Sequence, residues 1–424
     1  MTMMVVGCGS DVVARLLGQD DAAATRPIDV ANWEEATKAE LPTEDSPFGS
    51  TNLLDVQDRE GIRVYTSIDS PDDVQIYSIG EVAPGDRIAI QAIPLESSRL
   101  DPVVAVFDAN MNWINYNDDR HYYDRQIDSL LDFKVRKYSE KCFVAVASSP
   151  RAESVGDVNL YVSRDTASPN QSATPQIIYL EFEGQRNVVV GRRTPVNVPK
   201  FNAAAIDSEL ESDTQTFIEG VSLRVQEDFE RFGVTILSSL WHARPLVPHT
   251  TIYFGSEDPG LLGLSDNIDT YNQYDGQDAI IFVESFDLFT VASPTTQQWI
   301  DVLANVASHE IGHLLGLHHT ADPTEIMDTS ADLFEMLEPQ TFNRAPLHAG
   351  TFAVGYQDSV GTLLTNVGPS EWYEPEDDAS RVQPILDSDR VRKTKSTIPA
   401  RSFCRFGTAC ASATLQQKHT DGKN

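Results

Sequence analysis

Between residues 51 and 165 the chain carries short apolar runs separated by clusters of Gly, Pro, Asn and Asp. Examples lie at 74–79 (VQIYSI), 87–90 (RIAI), 103–107 (VVAVF) and 143–147 (FVAVA). Evenly spaced strand-like runs with turns between them and little helical period predict a β-sandwich. From residue 175 the pattern changes, and strand and helix signatures alternate. Residues 176–182 read as a strand. Over 202–232 a helical period appears, with Phe217, Val221, Val225 and Phe232 forming most of one stripe. Residues 234–240, 251–254 and 279–283 read as further strands, and 296–317 as a long helix. Leu303, Val306, Ile311, Leu314, Leu315 and Leu317 give that helix an apolar face for packing on a sheet. Residues 348–368 read as a loop and a closing helix. The pattern predicts a multidomain protein, with an α+β domain over 175–370 built on a twisted mixed sheet. The Ser/Thr/Pro-rich stretch 166–174 (TASPNQSAT) reads as the linker.

The two ends lack such periodicity. Residues 9–50 are polar, with Pro27, Pro42 and Pro47 scattered through them, and read as a disordered tether. At the start, Val5-Val6-Gly7-Cys8 resembles a bacterial lipobox, in which the Cys becomes a lipidated N-terminus. Only seven residues precede it, so 1–50 reads as a truncated lipoprotein-type signal followed by the tether. Lipid on Cys8 would anchor the chain rather than span the bilayer. Residues 371–378 hold five acidic residues and 390–405 six basic ones, so 371–424 reads as a disordered charged tail. Cys404 and Cys410 are close enough in sequence to bridge. Cys142, inside an apolar run, reads as a buried thiol.

Composition narrows the partners. With 32 Lys plus Arg against 64 Asp plus Glu, the net charge is −32. So acidic a chain lacks the basic face that nucleic acid requires and the polybasic patch that anionic lipid attracts. Membrane attachment is therefore expected only through Cys8. Four cysteines in 424 residues imply no disulfide framework.

Histidine is distributed unevenly. Of nine, four fall within eleven residues: His309, His313, His318 and His319. Residues four apart on an α-helix differ by only about 40° around the axis. His309 and His313 therefore project side by side and can clamp one ion, as zinc requires of nitrogen ligands at ~2.0–2.1 Å. Six more residues of straight helix would carry position 319 roughly 9 Å along the axis. Gly316 offers a way out, because glycine accepts positive φ and commonly ends helices. The chain can turn back there and present His319 to the same metal, with His318 pointing elsewhere. Glu310, next to the first ligand, is placed to act on water as a general acid/base.

This HExxHxxGxxH segment resembles that of the metzincin zinc peptidases. Ile326-Met327-Asp328 supplies a candidate Met-turn eight residues after His319, a spacing like that of the matrixin branch. Asp328-Thr329 stands where matrixins usually carry Tyr-Pro. The resemblance implies a zinc endopeptidase in which His309, His313 and His319 hold the metal on a long active-site helix. Glu310 would act as the general acid/base, with Met327 lying beneath the metal. Residues 51–165 resemble the bacterial pre-peptidase C-terminal domain. Ala83-Pro84-Gly85-Asp86, Asp101-Pro102 and Asn115-Tyr116-Asn117-Asp118-Asp119 after Trp113 carry that likeness.

Calcium is a second candidate ion, beside the commoner reading of a solvated acidic loop. Asp266, Asp269, Asn272, Asp275 and Asp278 gather oxygen ligands ahead of the 279–283 strand, and matrixins hold structural calcium in comparable loops; Asp118 and Asp119 form a smaller pair. His121, His242, His249 and His348 are isolated and read as structural. The expected protein is a secreted or surface-anchored zinc endopeptidase acting on protein or peptide substrates. The alternative is a non-catalytic surface adhesion or scaffold lipoprotein with a vestigial zinc site.

Overall fold

Alternating burial along β-rich segments builds the first half of the molecule. The computed structural model describes residues 33–370 apart from 59, 120–127, 151, 167–171 and 192. Cys8, His121, Cys404, Cys410, most of the expected tether, part of the linker and the charged tail lie outside the described residues. Among the described residues no helix is long and apolar enough to cross a membrane.

The first eleven strands are β1 (Trp33–Thr37), β2 (Thr43–Ser46), β3 (Gly49–Leu53), β4 (Glu60–Ile68), β5 (Val74–Ser78), β6 (Arg87–Pro94), β7 (Pro102–Phe107), β8 (Trp113–Asn117), β9 (Ser129–Lys134), β10 (Phe143–Ser148) and β11 (Gly156–Asp165). They form one sheet ordered β1-β4-β11-β6-β9 and another ordered β2-β3-β5-β10-β7-β8. Val64, Ile90 and Leu160 of the first sheet share one core with Tyr77, Val104 and Val144 of the second, which fits the expected β-sandwich. The strands begin earlier than residue 51. The stretch read as tether contributes β1, paired parallel with β4, and the β2–β3 hairpin. Backbone pairing to a formed sheet supplies the order that its polar side chains do not signal. Cys142 is fully buried, and burial pushes its thiol up to about 12.

β7 and β10 are buried along their whole length. Val104, Val106, Val144 and Val146 point into the inter-sheet core. Val103, Ala105, Phe107, Phe143 and Ala145 point outward and pack with Leu347 and Phe352 of the second half. A strand covered on both faces reads as a continuous apolar run.

The second half is organised by a five-stranded mixed sheet. Its strands are β12 (Gln176–Glu181), β15 (Val234–Ser238), β16 (Thr250–Phe254), β17 (Gly263–Ser265) and β18 (Asp278–Ile281), in the order β15-β12-β16-β18-β17. All pairings are parallel except the edge pair β17–β18. The hairpin β13 (Gln185–Val188) and β14 (Val196–Val198) covers one face through Val188, Val198, Tyr253 and Ile280. Helices α1 (Thr214–Phe229) and α2 (Thr296–Leu314) cover the other, packing Phe217, Val221, Val225, Leu303 and Val306 on Ile178, Ile252 and Ile281. The period read over 202–232 overstates α1, because residues 203–205 and 208–213 form 3-10 turns. A β-bridge of Phe232 to Pro369 then takes the chain out of the helix. Gly220 brings α1 and α2 close, since a Cβ there would lie 2.5 Å from Ile300. The domain closes with β19 (Arg344–Pro346), β20 (Tyr356–Asp358) and α3 (Ser359–Asn366).

Candidate metal centre

Helix α2 starts at a capping box between Thr295 and Gln298 and is buried from Trp299 to Leu314. A helix buried on every side is central to its domain, and its polar residues need partners. Ser308 Oγ donates to Asp228 at 2.7 Å, and Asn305 donates to the Glu338 carbonyl at 2.9 Å. These bonds fix the helix that carries His309, Glu310 and His313.

The helix ends at Gly316, where φ is +96°. Leu317 N–H donates to Gly312 O at 2.8 Å and Gly316 N–H to His313 O at 2.9 Å. This paired arrangement is the Schellman motif. It reverses the chain and brings residue 319 beside the helix. His309 Nε2 lies 3.0 Å from His313 Nε2, which lies 3.1 Å from His319 Nε2. Among the described residues this is the one group in which three such side chains bring ligand atoms together, all within 4.8 Å. His318 turns the other way. Its ring is buried edge-on against Trp113, with centroids 4.3 Å apart.

Tautomers follow from the backbone partners. His309 Nδ1 sits 2.7 Å from Ile326 O, and His313 Nδ1 sits 2.8 Å from Leu317 O. A carbonyl only accepts, so each Nδ1 carries the proton and each Nε2 presents a lone pair. Two lone pairs 3.0 Å apart repel each other unless a cation lies between them. Tetrahedral zinc with ligands at ~2.0–2.1 Å places nitrogens about 3.3 Å apart, close to the spacing here, so the residues present fit zinc. Burial keeps all three rings neutral. It drives His309 and His319 well below the ordinary value, with neighbouring histidines adding to the effect, and takes His313 to about 4.

The turn at 325–328 packs against the helix that carries two of the three rings, with Ile326 O on His309 Nδ1. Met327 is fully buried, and a Cβ on Gly312 would come within 2.4 Å of its Sδ. Thr320 N–H donates to Met327 O at 2.9 Å, tying this turn to the residue after His319. Glu310 is buried beside the edge strand β17, where a Cβ on Gly263 would come within 2.5 Å of Oε1.

Several contributors carried no sequence signal. Glu325 is fully buried. Its Oε2 accepts from Met327 N–H at 2.5 Å and Thr320 Oγ1 at 2.9 Å, so one carboxylate joins the Met327 turn to the segment after His319. Burial raises it to about 7. Gly263 and Gln357 likewise sit in no motif, because what matters is the neighbour each meets across the fold.

The acidic loop differs from the calcium expectation. Asp266 accepts from the backbone N–H groups of Gly191 and Asp278, and Asp269 accepts from those of Gln273 and Tyr274. Asn272 links Thr174 and Gln176, and Asp275 is exposed. The carboxylates fold the loop itself, and calcium is not supported there. Asp118 and Asp119 border residues outside the described set. His242 and His249 contact the backbone carbonyls of Ser238 and Val247, as structural histidines do. The backbone N–H of His348 donates to His319 O at 3.0 Å.

Residues 180–343 match the sequence model of the family Peptidase_M10, Matrixin. No curated protein sequence matches the chain. Similar solved structures include Aeromonas hydrophila PliG, a periplasmic lysozyme inhibitor of g-type lysozyme. That likeness has 13% identity and a TM-score of 0.20, covering 32% of this chain and 100% of that one. Another is the pre-peptidase C-terminal domain of collagenase from Bacillus anthracis, with 12% identity and a TM-score of 0.19, covering 32% of this chain and 95% of that one. At such TM-scores these likenesses say nothing about what the N-terminal module binds. The family match and the three-histidine group fall on the same segment: residues 180–343 are similar to the matrixin family, and His309, His313 and His319 lie within them.

Proposed function

We propose that the chain is an endopeptidase whose zinc is held by His309, His313 and His319. The observation that carries this is the convergence of three Nε2 atoms, two of them left as bare lone pairs by Nδ1–carbonyl contacts. Zinc bound there supplies Lewis-acid chemistry, acidifying water and polarising a carbonyl. Glu310 takes the proton of the attacking water and delivers it to the leaving amine. Its burial beside β17 keeps bulk water away and strengthens its interaction with charge that develops in the reaction. Met327 and Gly312 form the close-packed floor that holds the two helical histidines in register. Surface attachment is proposed on residues 5–8 alone, and a diacylglycerol adduct on Cys8 by mass spectrometry tests it.

The test of function combines metal content with cleavage of a casein-type substrate. Wild type should hold about one zinc and lose cleavage on chelation. Glu310→Gln should keep the zinc and lose cleavage. A Gln variant as active as wild type would remove Glu310 from the mechanism. Full zinc occupancy with no cleavage by wild type would favour the scaffold reading.

A further inference from the structure

The first two histidines are fixed by one helix, whereas His319 stands in a turn beyond it and needs other support. The His348 N–H supplies part of that support by donating to His319 O. Another part comes, through the preceding residue, from Gln357, which is fully buried. Its Oε1 accepts from His318 N–H at 2.7 Å and from Trp113 Nε1–H at 3.0 Å. Its Nε2 donates to His318 O at 2.8 Å and to Ser359 Oγ at 3.1 Å. Both lone pairs and both N–H groups of the amide are thus used. One side chain grips both backbone groups of the residue before His319. Trp113 opens β8 of the N-terminal module, and its ring and that of Tyr116 pack edge-on against His318.

The module holds the other end of the same turn. Asp269 N–H donates to His313 O at 3.0 Å, and a Cβ on Gly316 would lie 2.9 Å from Asp269 O. Two residues on, Tyr271 leaves this loop with φ of +72° and packs against the module core. Its ring stacks on Phe133 at 6.3 Å and lies under the Arg136 guanidinium at 4.5 Å. Residues 313–319 are therefore held at both ends by contacts rooted in the N-terminal module.

We propose that the N-terminal module is a brace for the metal site, in which Trp113 and Gln357 are positioning residues acting on His319 through His318. The proposal rests on the zinc-site reading above. It gives the module a role within the catalytic unit, distinct from tethering or substrate capture. Outer partners of a metal ligand typically contribute 10- to 100-fold in metal affinity.

The experiment uses the full chain. Zinc affinity is measured by competition with a chromogenic chelator, and ligand geometry by the visible absorption spectrum of the cobalt-substituted protein. Trp113→Phe keeps an aromatic ring and removes the Nε1–H donor; Gln357→Leu removes the amide. Ile90→Val trims the module core on β6, in the other sheet, and controls for general loss of stability. Both positioning variants are expected to bind zinc about 10-fold more weakly or worse, with an altered cobalt spectrum, while Ile90→Val matches wild type. If Gln357→Leu does not fold, Trp113→Phe alone carries the test. Wild-type affinity and spectrum in Trp113→Phe would overturn the brace and leave the zinc site standing. Equal weakening in Ile90→Val would also overturn it. A wild-type protein that binds neither metal would overturn the zinc-site reading itself, a result distinct from the others.

Discussion

Gly263 on the edge strand β17 offers a way to disturb Glu310 while leaving the metal ligands alone. Its φ lies outside the left-handed region, so alanine suits the backbone and only space decides the outcome. A Cβ built there lies 2.5 Å from Glu310 Oε1, 2.8 Å from Cγ and 2.9 Å from Cδ. Non-bonded carbon contacts settle near 3.5–4.0 Å, so the carboxylate must retreat by roughly 1 Å. Glu310 is buried and its whole outer half is involved, which leaves little room for a harmless rotamer change. A misplacement of about 1 Å costs on the order of 10²-fold in rate, or about 2.7 kcal/mol in the barrier. Gly263→Ala should therefore cleave a fluorogenic peptide about 100-fold more slowly in kcat while keeping one zinc per chain. Full activity at full zinc occupancy would refute the placement of Glu310 as the base. Loss of zinc would show that Gly263 supports the ligands instead.

Gly316→Ala should be worse than a typical surface change, because φ of +96° strains an L residue and its Cβ would meet Asn366 Nδ2 and Asp269 O at 2.9 Å. A loss above about 1 kcal/mol in denaturant unfolding is expected, with weaker zinc binding; an unchanged midpoint would contradict it. Burial raises Glu325 from its ordinary 4.5 to about 7, so the folded state holds a proton that the unfolded chain gives up above pH 4.5. That stabilisation is complete below the unfolded value and is lost as pH rises through about 7. Between pH 4 and 8 Glu325→Gln should gain up to roughly 3 kcal/mol relative to wild type, and parallel stability–pH curves would exclude this. Chelation should lower the thermal midpoint, because a ligand present at 100 times its Kd contributes about 2.7 kcal/mol; restoration by added zinc checks that the effect is specific.

The three-histidine group was legible in the sequence because its determinants are local. The i,i+4 spacing of His309 and His313 is set by helix geometry, and Gly316 marks the reversal that lets residue 319 return. The choice between His318 and His319 turned on that reversal, and the structure gives its physical form, a Schellman turn with His318 buried against Trp113. The strands at 33–53 were missed because their side chains are polar and their order comes from pairing with β4 and β5. Calcium in the acidic loop gains no support, because composition reports how many carboxylates are present and says nothing of the backbone N–H groups they fold around.

One sequence signal carried more than it first yielded. Residues 103–107 and 143–147 are apolar without alternation, where an antiparallel strand with one wet face would alternate. The structure shows that both faces of β7 and β10 are buried, which is what such an uninterrupted apolar run is consistent with. The pattern could not name what covers the second face, since Leu347 and Phe352 lie some two hundred residues away and share no period with those strands. Local spacing determined the three-histidine group, the helix and its end. Only the tertiary structure decided that Gln357, Trp113, Glu325 and Gly263 belong to the same site, because each acts through a contact between segments distant in sequence, and a residue's local pattern holds no record of which distant segment it will meet.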